Sequence, residues 1–303
     1  MKRINVLAVF IVATSFATSA GATEWLWQVT TDPASDYGSS WSPDGTTLAF
    51  FSYRSGNADI WTIPATGGAA TQITTDPSLD AWPAWSPDGT TLAFYSYRSG
   101  NWDIWTIPAT GGTATQITTD PADDMGPVWS PDGTTLAFYS DRSGNRDIWT
   151  IPATGGTATC ITTDPAADEY PSWSPDGTML AFFSDRSGNM DIWTIPAGGG
   201  TATQITTDPA YDVNPAWSPD GTSLAFDSDR SGNYDIWTIP VAGEPATQIT
   251  TDPGFDQGPK WSPDGTTIAF HSDRSGNYDI WAIKPDHTSV TPASFGEIKA
   301  TFR

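Results

Sequence analysis

Apolar and polar positions along this chain alternate in short bursts separated by turn-forming residues. In one representative stretch, Pro83-Ala84-Trp85, Thr91 to Ser96, Ile104 to Ile107 and Ala114 to Thr118 are runs rich in β-branched, aromatic and small apolar residues. Between them stand Ser86-Pro87-Asp88-Gly89, which has the residues a type I turn favours at all four positions, the hairpin tip Arg98-Ser99-Gly100-Asn101, and the turn Gly111-Gly112. The pattern predicts four short strands joined by tight turns, and no helix.

The same unit recurs along the chain. Trp-Ser-Pro-Asp-Gly begins at Trp41, Trp85, Trp129, Trp173, Trp217 and Trp261, every 44 residues and without insertion or deletion. A period of about 40 to 45 residues is that of a four-stranded propeller blade. Six copies give an all-β chain, and radial closure removes the exposed edges that an open stack would leave at both ends. The ends are complementary in phase. Glu24 to Val29 occupies a fourth-strand position ahead of Thr30-Thr31-Asp32-Pro33, while the sixth unit stops after its third strand, Asp279 to Ile283. The expected fold is a six-bladed β-propeller of four-stranded antiparallel blades, closed by the N-terminal strand.

The repeated W-S-P-D-G-T-x-L-A-F-x-S-x-R-S-G-N-x-D-I-W, running six times between Trp41 and Trp281, resembles the WD-type repeat of the TolB family. The resemblance implies a six-bladed propeller domain. Similar blades also occur in prolyl oligopeptidases, tricorn-like proteases and some polysaccharide lyases, so it speaks to fold more than to activity. The α/β domain that precedes the propeller in TolB has no counterpart between residue 22 and the first blade.

The first 22 residues read as an address. Met1-Lys2-Arg3 is a positive start, Val6 to Phe16 an apolar stretch shorter than the ~20 residues a bilayer demands, and Ala20-Gly21-Ala22 a cleavage signal. The expected organisation is therefore a signal peptide over 1–22, the propeller over 23–285 and a tail over 286–303. The mature chain would be periplasmic or extracellular, without a membrane span.

Composition narrows the chemistry. With 35 Asp and Glu against 13 Lys and Arg, a formal charge of -22 repels phosphate backbones, which argues against nucleic acid. A lone Cys160 excludes an intrachain disulfide and a thiolate metal cluster, and His271 and His287 are the only histidines. There is no G-x-S-x-G elbow. His271 takes a strand position held elsewhere by Phe51, Tyr95, Tyr139, Phe183 and Asp227, which suggests packing, and Cys160 reads as an outer-strand thiol. No catalytic constellation emerges, so a non-catalytic binding module is expected, acting as a monomer on a protein or peptide at the cell envelope. A carbohydrate-binding propeller is the alternative, and a metal-dependent lyase or lactonase comes third.

Two sets of residues are candidates for binding. Asp36, Asp80, Asp124, Asp168, Asp212 and Asp256 precede the innermost strands and would ring one mouth of the central channel. There they would either coordinate a hard cation such as calcium or accept bonds from loop amides and a neighbouring arginine. The variable loops of blades one and two carry Tyr37, Tyr53, Trp82, Tyr97 and Trp102, where blades three to six place Asp141, Asp185, Asp229 and Asp273 at the positions of Tyr53 and Tyr97. An aromatic sector beside an acidic rim is the expected partner contact, centred on Trp82 and Trp102.

Overall fold

The computed structural model describes residues 25–285. The expected signal peptide and the tail 286–303 lie outside the described residues. Six four-stranded antiparallel sheets are present, five paired in sequence order and the sixth completed by the N-terminal strand, and the innermost strands of neighbouring sheets contact one another around a closed ring, the first with the last included. These strands are Asp36–Trp41, Asp80–Trp85, Asp124–Trp129, Asp168–Trp173, Asp212–Trp217 and Asp256–Trp261. Among the described residues no helix is long and apolar enough to cross a membrane.

Blade boundaries differ from the sequence expectation at two places, each for a hydrogen-bonding reason. The innermost strand of the second blade begins at Asp80 and not at Pro83, because the Asp80 amide donates to Ala58 O of the preceding hairpin (2.8 Å) and Asp80 pairs with Ser96. The outermost strand is only Thr115–Gln116. Past it, the amides of Ile117 and Thr118 both turn to Ile104 O (2.8 and 3.3 Å), which bends the chain toward the next blade.

The core lies between blades. Phe50, Phe94, Phe138, Phe182, Phe226 and Phe270, one from each second strand, have no exposed surface. Burial of each contributes ~1.5–3 kcal/mol. Trp41 and Trp129 donate their ring N–H to Lys260 O and Ala84 O of the preceding blade (3.0 and 3.1 Å), so these two tryptophans bridge adjacent sheets.

The N-terminal strand Leu26–Gln28 closes the ring, pairing antiparallel with Asp279–Ile283 in the register Leu26 to Ile283 and Gln28 to Trp281. It also supplies the Gln and Thr that the outer strand gives blades one, two, four and five; the third blade keeps the Thr but has Cys160 in place of the Gln. In the first blade, Asp59 accepts Gln72 Nε2 (3.0 Å) and Thr74 Oγ1 (3.3 Å), while the Ile60 amide donates to Thr74 Oγ1 (2.9 Å). In the sixth, Gln28 Nε2 and Thr30 Oγ1 donate to Asp279 (2.9 and 3.2 Å) and the Ile280 amide donates to Thr30 (2.9 Å).

Deleting Thr23 to Val29 removes the closing strand together with the Gln28 bond to Asp279 and uncovers a strand edge, so the truncated protein is expected to melt at a lower temperature and to aggregate. Light scattering during a thermal melt checks this; a truncated chain that melts like the parent overturns the assignment.

Candidate functional site

Of the two readings open for the six recurring aspartates, a cation or an arginine partner, the structure places an arginine against each carboxylate. Each is fully buried and spent on the arginine 18 residues later. Both Asp36 oxygens accept Arg54 Nη2 (2.9 and 2.7 Å), and the same ion pair joins Asp80 to Arg98, Asp124 to Arg142, Asp168 to Arg186, Asp212 to Arg230 and Asp256 to Arg274. The Arg54 guanidinium lies over the rings of Phe50 and Trp61 (5.1 and 5.0 Å) and donates through Nε to Ser52 Oγ (2.8 Å). Burial raises the pKa of Asp36, while Ser52 and Arg54 act in the lowering direction. Among the described residues no three His, Cys, Asp or Glu side chains come together to hold a metal ion.

A carboxylate buried at this cost tolerates loss of its partner badly. Arg98→Ala is expected to destabilise by ~3–5 kcal/mol. Arg146→Ala, which breaks the half-exposed pair with Glu169 (2.9 Å), should change stability by less than ~1 kcal/mol. Urea denaturation of the two variants measures the contrast.

The centre of the ring is filled unevenly. Each innermost strand carries a bulge after its second residue, and the third residue has a left-handed backbone: Gly38, Trp82, Gly126, Tyr170, Asn214 and Gly258, with φ between 51° and 64°. A non-glycine residue there costs of order 1–3 kcal/mol, so three such residues need a compensating gain. Trp82 finds it across the axis, its ring 5.1 Å from Tyr170 of the fourth blade, 6.2 Å from His271 of the sixth and 5.9 Å from Phe51 of the first. The glycines make room for it. A Cβ at Gly38 would stand 3.1 Å from Trp82 and Phe51, and one at Gly258 2.8 Å from His271.

Trp82 is thus a strand residue aimed at the axis, where the sequence suggested an exposed loop anchor. Its aromatic plug was nonetheless announced by a signal in the chain: the third-position series reads Gly, Trp, Gly, Tyr, Asn, Gly, and glycine at three of the six copies marks a special backbone.

The other predicted contact residues do lie on one face, where the hairpins meet the loops that precede the innermost strands. Asn57 Nδ2 donates to Asp76 O and Ser78 O of the next blade (both 3.0 Å), tying hairpin to loop. Tyr53 and Tyr97 are about half exposed. Trp102 is partly buried between Tyr95 and Tyr97 (5.0 and 5.2 Å), and Tyr37 stacks on Phe51 (5.3 Å) beside Tyr278 (4.8 Å). Sequence reasoning missed Leu79, Met190, Tyr211 and Phe255, also exposed on this face. The acidic rim has a structural task as well: Asp229 and Asp273 accept the amides of Tyr211 and Phe255 (2.9 and 2.8 Å), so loops in the acidic sector also present rings.

Between blades five and six the plug turns polar. Asp227, fully buried where other blades carry rings, accepts Asn214 Nδ2 (3.1 and 3.2 Å) and the Gly258 amide (3.0 Å). Burial pushes its pKa up to about 7, and burial pushes that of Lys260 down to about 8. His271 is buried, its Nδ1 has no hydrogen-bond partner, and burial together with the charge on Lys260 lowers its pKa to about 3. Cys160 donates to Thr162 O (2.9 Å), and burial raises its pKa to about 11, which leaves a thiol of low reactivity.

His271 therefore stays neutral in the folded state while it protonates near pH 6.5 in the unfolded one. The unfolded chain binds more protons between about pH 6.5 and 3, so this residue lowers stability as pH falls through that window, by at most ~1.4 kcal/mol per pH unit. His271→Phe, which installs the residue of the first and fourth blades, should melt above the parent by a margin that widens below pH 6.5. Melting curves from pH 4 to 8 test it; a constant margin counts against it.

A family model described as the TolB beta propeller domain matches residues 77–170, 124–215, 165–247 and 212–302. No curated protein matches the chain. Among solved structures, one described as TolB from Agrobacterium tumefaciens is 24% identical, with 86% of this chain and 96% of that one aligned at a TM-score of 0.71. TolB from Acinetobacter baumannii is 20% identical over 83% of this chain and 63% of its own length, at 0.65. An oligogalacturonate lyase from Vibrio parahaemolyticus is 14% identical over 86% and 93%, at 0.58. At these identities the likeness establishes the fold. The overlapping matches run from the second blade to the sixth over most of the chain, and it belongs to the TolB beta propeller domain family.

Proposed function

We propose that this is an exported, non-catalytic propeller that binds a protein or peptide on its hairpin face. The observation that carries the reading is the distribution of exposed apolar side chains: of seven large ones among the described residues, Tyr53, Leu79, Tyr97, Met190, Tyr211 and Phe255 stand on that face. Aromatic and long apolar residues on loops held by cross-blade hydrogen bonds are suited to anchoring a partner, because little ordering remains to be done on binding. Tyr97 and Trp102 form one corner of the surface, with Asp123 accepting the Trp102 amide (3.0 Å).

The formal charge of -22 favours a basic partner. Long-range attraction of that kind speeds association and is screened by salt. An envelope protein or peptide captured by the immobilised chain should bind Tyr97→Ala and Trp102→Ala at least tenfold more weakly than the parent, and its on-rate should fall as salt is raised. Tyr97→Ala should leave the melting temperature unchanged. Unaltered affinity for both variants moves the site elsewhere, and binding on a glycan array without protein capture replaces the protein partner with a sugar.

A further inference from the structure

Beneath the aromatic plug, on the side of the Ser-Pro-Asp-Gly turns, the channel holds a cavity of about 250 Å³. Its walls come from the innermost strands of all six blades, but its chemistry is one-sided. Pro83, Pro127, Val128 and Pro171 make an apolar arc, and Trp82 faces it from the plug. The opposite arc carries polar groups from adjacent blades, Asn214 from the fifth, Lys260 from the sixth and Ser39 from the first, beside Pro215.

One of these polar groups lacks a hydrogen-bond partner, and another lies outside every ion pair among the described residues. Ser39 is 1% exposed and its hydroxyl has no hydrogen-bond partner. Lys260 forms none of the ion pairs found in the molecule, whereas all six hairpin arginines and Arg146 are paired. Both depart from the repeat. The Ser39 position is proline in the other five blades, and the Lys260 position is Ser40, Ala84, Val128, Ser172 and Ala216 elsewhere. A hydroxyl without a hydrogen-bond partner and an ammonium outside every ion pair among the described residues thus line the same cavity of a strongly acidic protein, with Asp227 attracting the ammonium from a distance, at adjoining strands linked by the bond from Trp41 to Lys260 O.

We propose that this cavity binds a small monocarboxylic acid, its carboxylate against Lys260 and the Ser39 hydroxyl and its apolar body against the proline arc. The Lys260 ammonium and the Ser39 hydroxyl can both donate to one carboxylate. The buried Asp227 near Lys260 makes a second negative charge on the ligand unfavourable, which disfavours phosphate and dicarboxylates. The small volume admits a compact body such as a single ring or a short branched chain, below the ~300 Å³ at which drug-sized sites begin. The site lies on the other side of the plug from the hairpin face and does not rest on the protein-partner reading.

Isothermal titration of the purified chain with benzoate, phenylacetate and isovalerate tests this, with benzamide, phenylacetamide and inorganic phosphate as controls. At least one carboxylate should bind with one-to-one stoichiometry, and its amide and phosphate at least tenfold more weakly. Lys260→Met should weaken the carboxylate at least tenfold, and Ser39→Ala severalfold. Because Lys260→Met removes a poorly solvated charge, the fold should persist, which circular dichroism and a melt verify; if that variant unfolds, Ser39→Ala decides. No carboxylate binding to the parent, unchanged binding to the variants, or phosphate binding as tight as carboxylate overturns the proposal.

Discussion

The rest of the molecule depends on one buried ion pair made six times. Asp36 at the head of an innermost strand is fully buried and held by Arg54 from the hairpin, and Arg54 is clamped between Phe50 and Trp61. Desolvation makes such a pair a poor source of net stability, but its partial loss is severe, so it specifies geometry more than it stabilises. It fixes the hairpin over the top of the innermost strand. Once hairpin and strand are locked, the loops of the hairpin face have one arrangement, and the bulge that follows Asp36 turns the next residues toward the axis.

Sixfold repetition works well between blades and fails at the centre. Each interface can be the same because each Phe and Trp meets the same neighbours. At the axis six third-position side chains converge on one space, and a Cβ at Gly126 or Gly258 would already stand 2.8 Å from Tyr139 or His271. The chain resolves this by giving three blades glycine and letting Trp82, Tyr170 and Asn214 share the volume. Symmetry is therefore broken where steric exclusion demands it, and the break separates the hairpin side of the channel from the turn side.

Blade number, strand order and closure by the N-terminal strand were legible in the sequence, because the Trp-Ser-Pro-Asp-Gly spacing and the complementary ends depend only on local pattern. The destination of the aspartates was not. Asp36 and Arg54 lie 18 residues apart across a hairpin whose fold-back decides whether the carboxylate meets a channel or a guanidinium. Trp82 misled for a related reason. Its neighbours suggested a loop, whereas the strand begins two residues earlier, at Asp80, and the left-handed bulge swings the ring inward. Tyr53 and Tyr97 are half exposed because a hairpin tip exposes its flanks in any packing of the blades.

In a chain whose units are so alike, departures from the repeat carry more information than the repeat itself. Asp227 can replace a buried ring only because Asn214, in the same blade, stands at a third position where a side chain reaches it and donates to both its oxygens. The next blade contributes the Gly258 amide, available because glycine leaves the backbone open there. Lys260 follows two residues on, and His271 fills the matching second-strand position with its Nδ1 unpaired. Asn214, Asp227, Lys260 and His271 thus all depart from the common residue types within one quadrant, and none is required to close a blade. A buried charge retained where five sister blades manage without one points to an interaction of the channel and not of the scaffold.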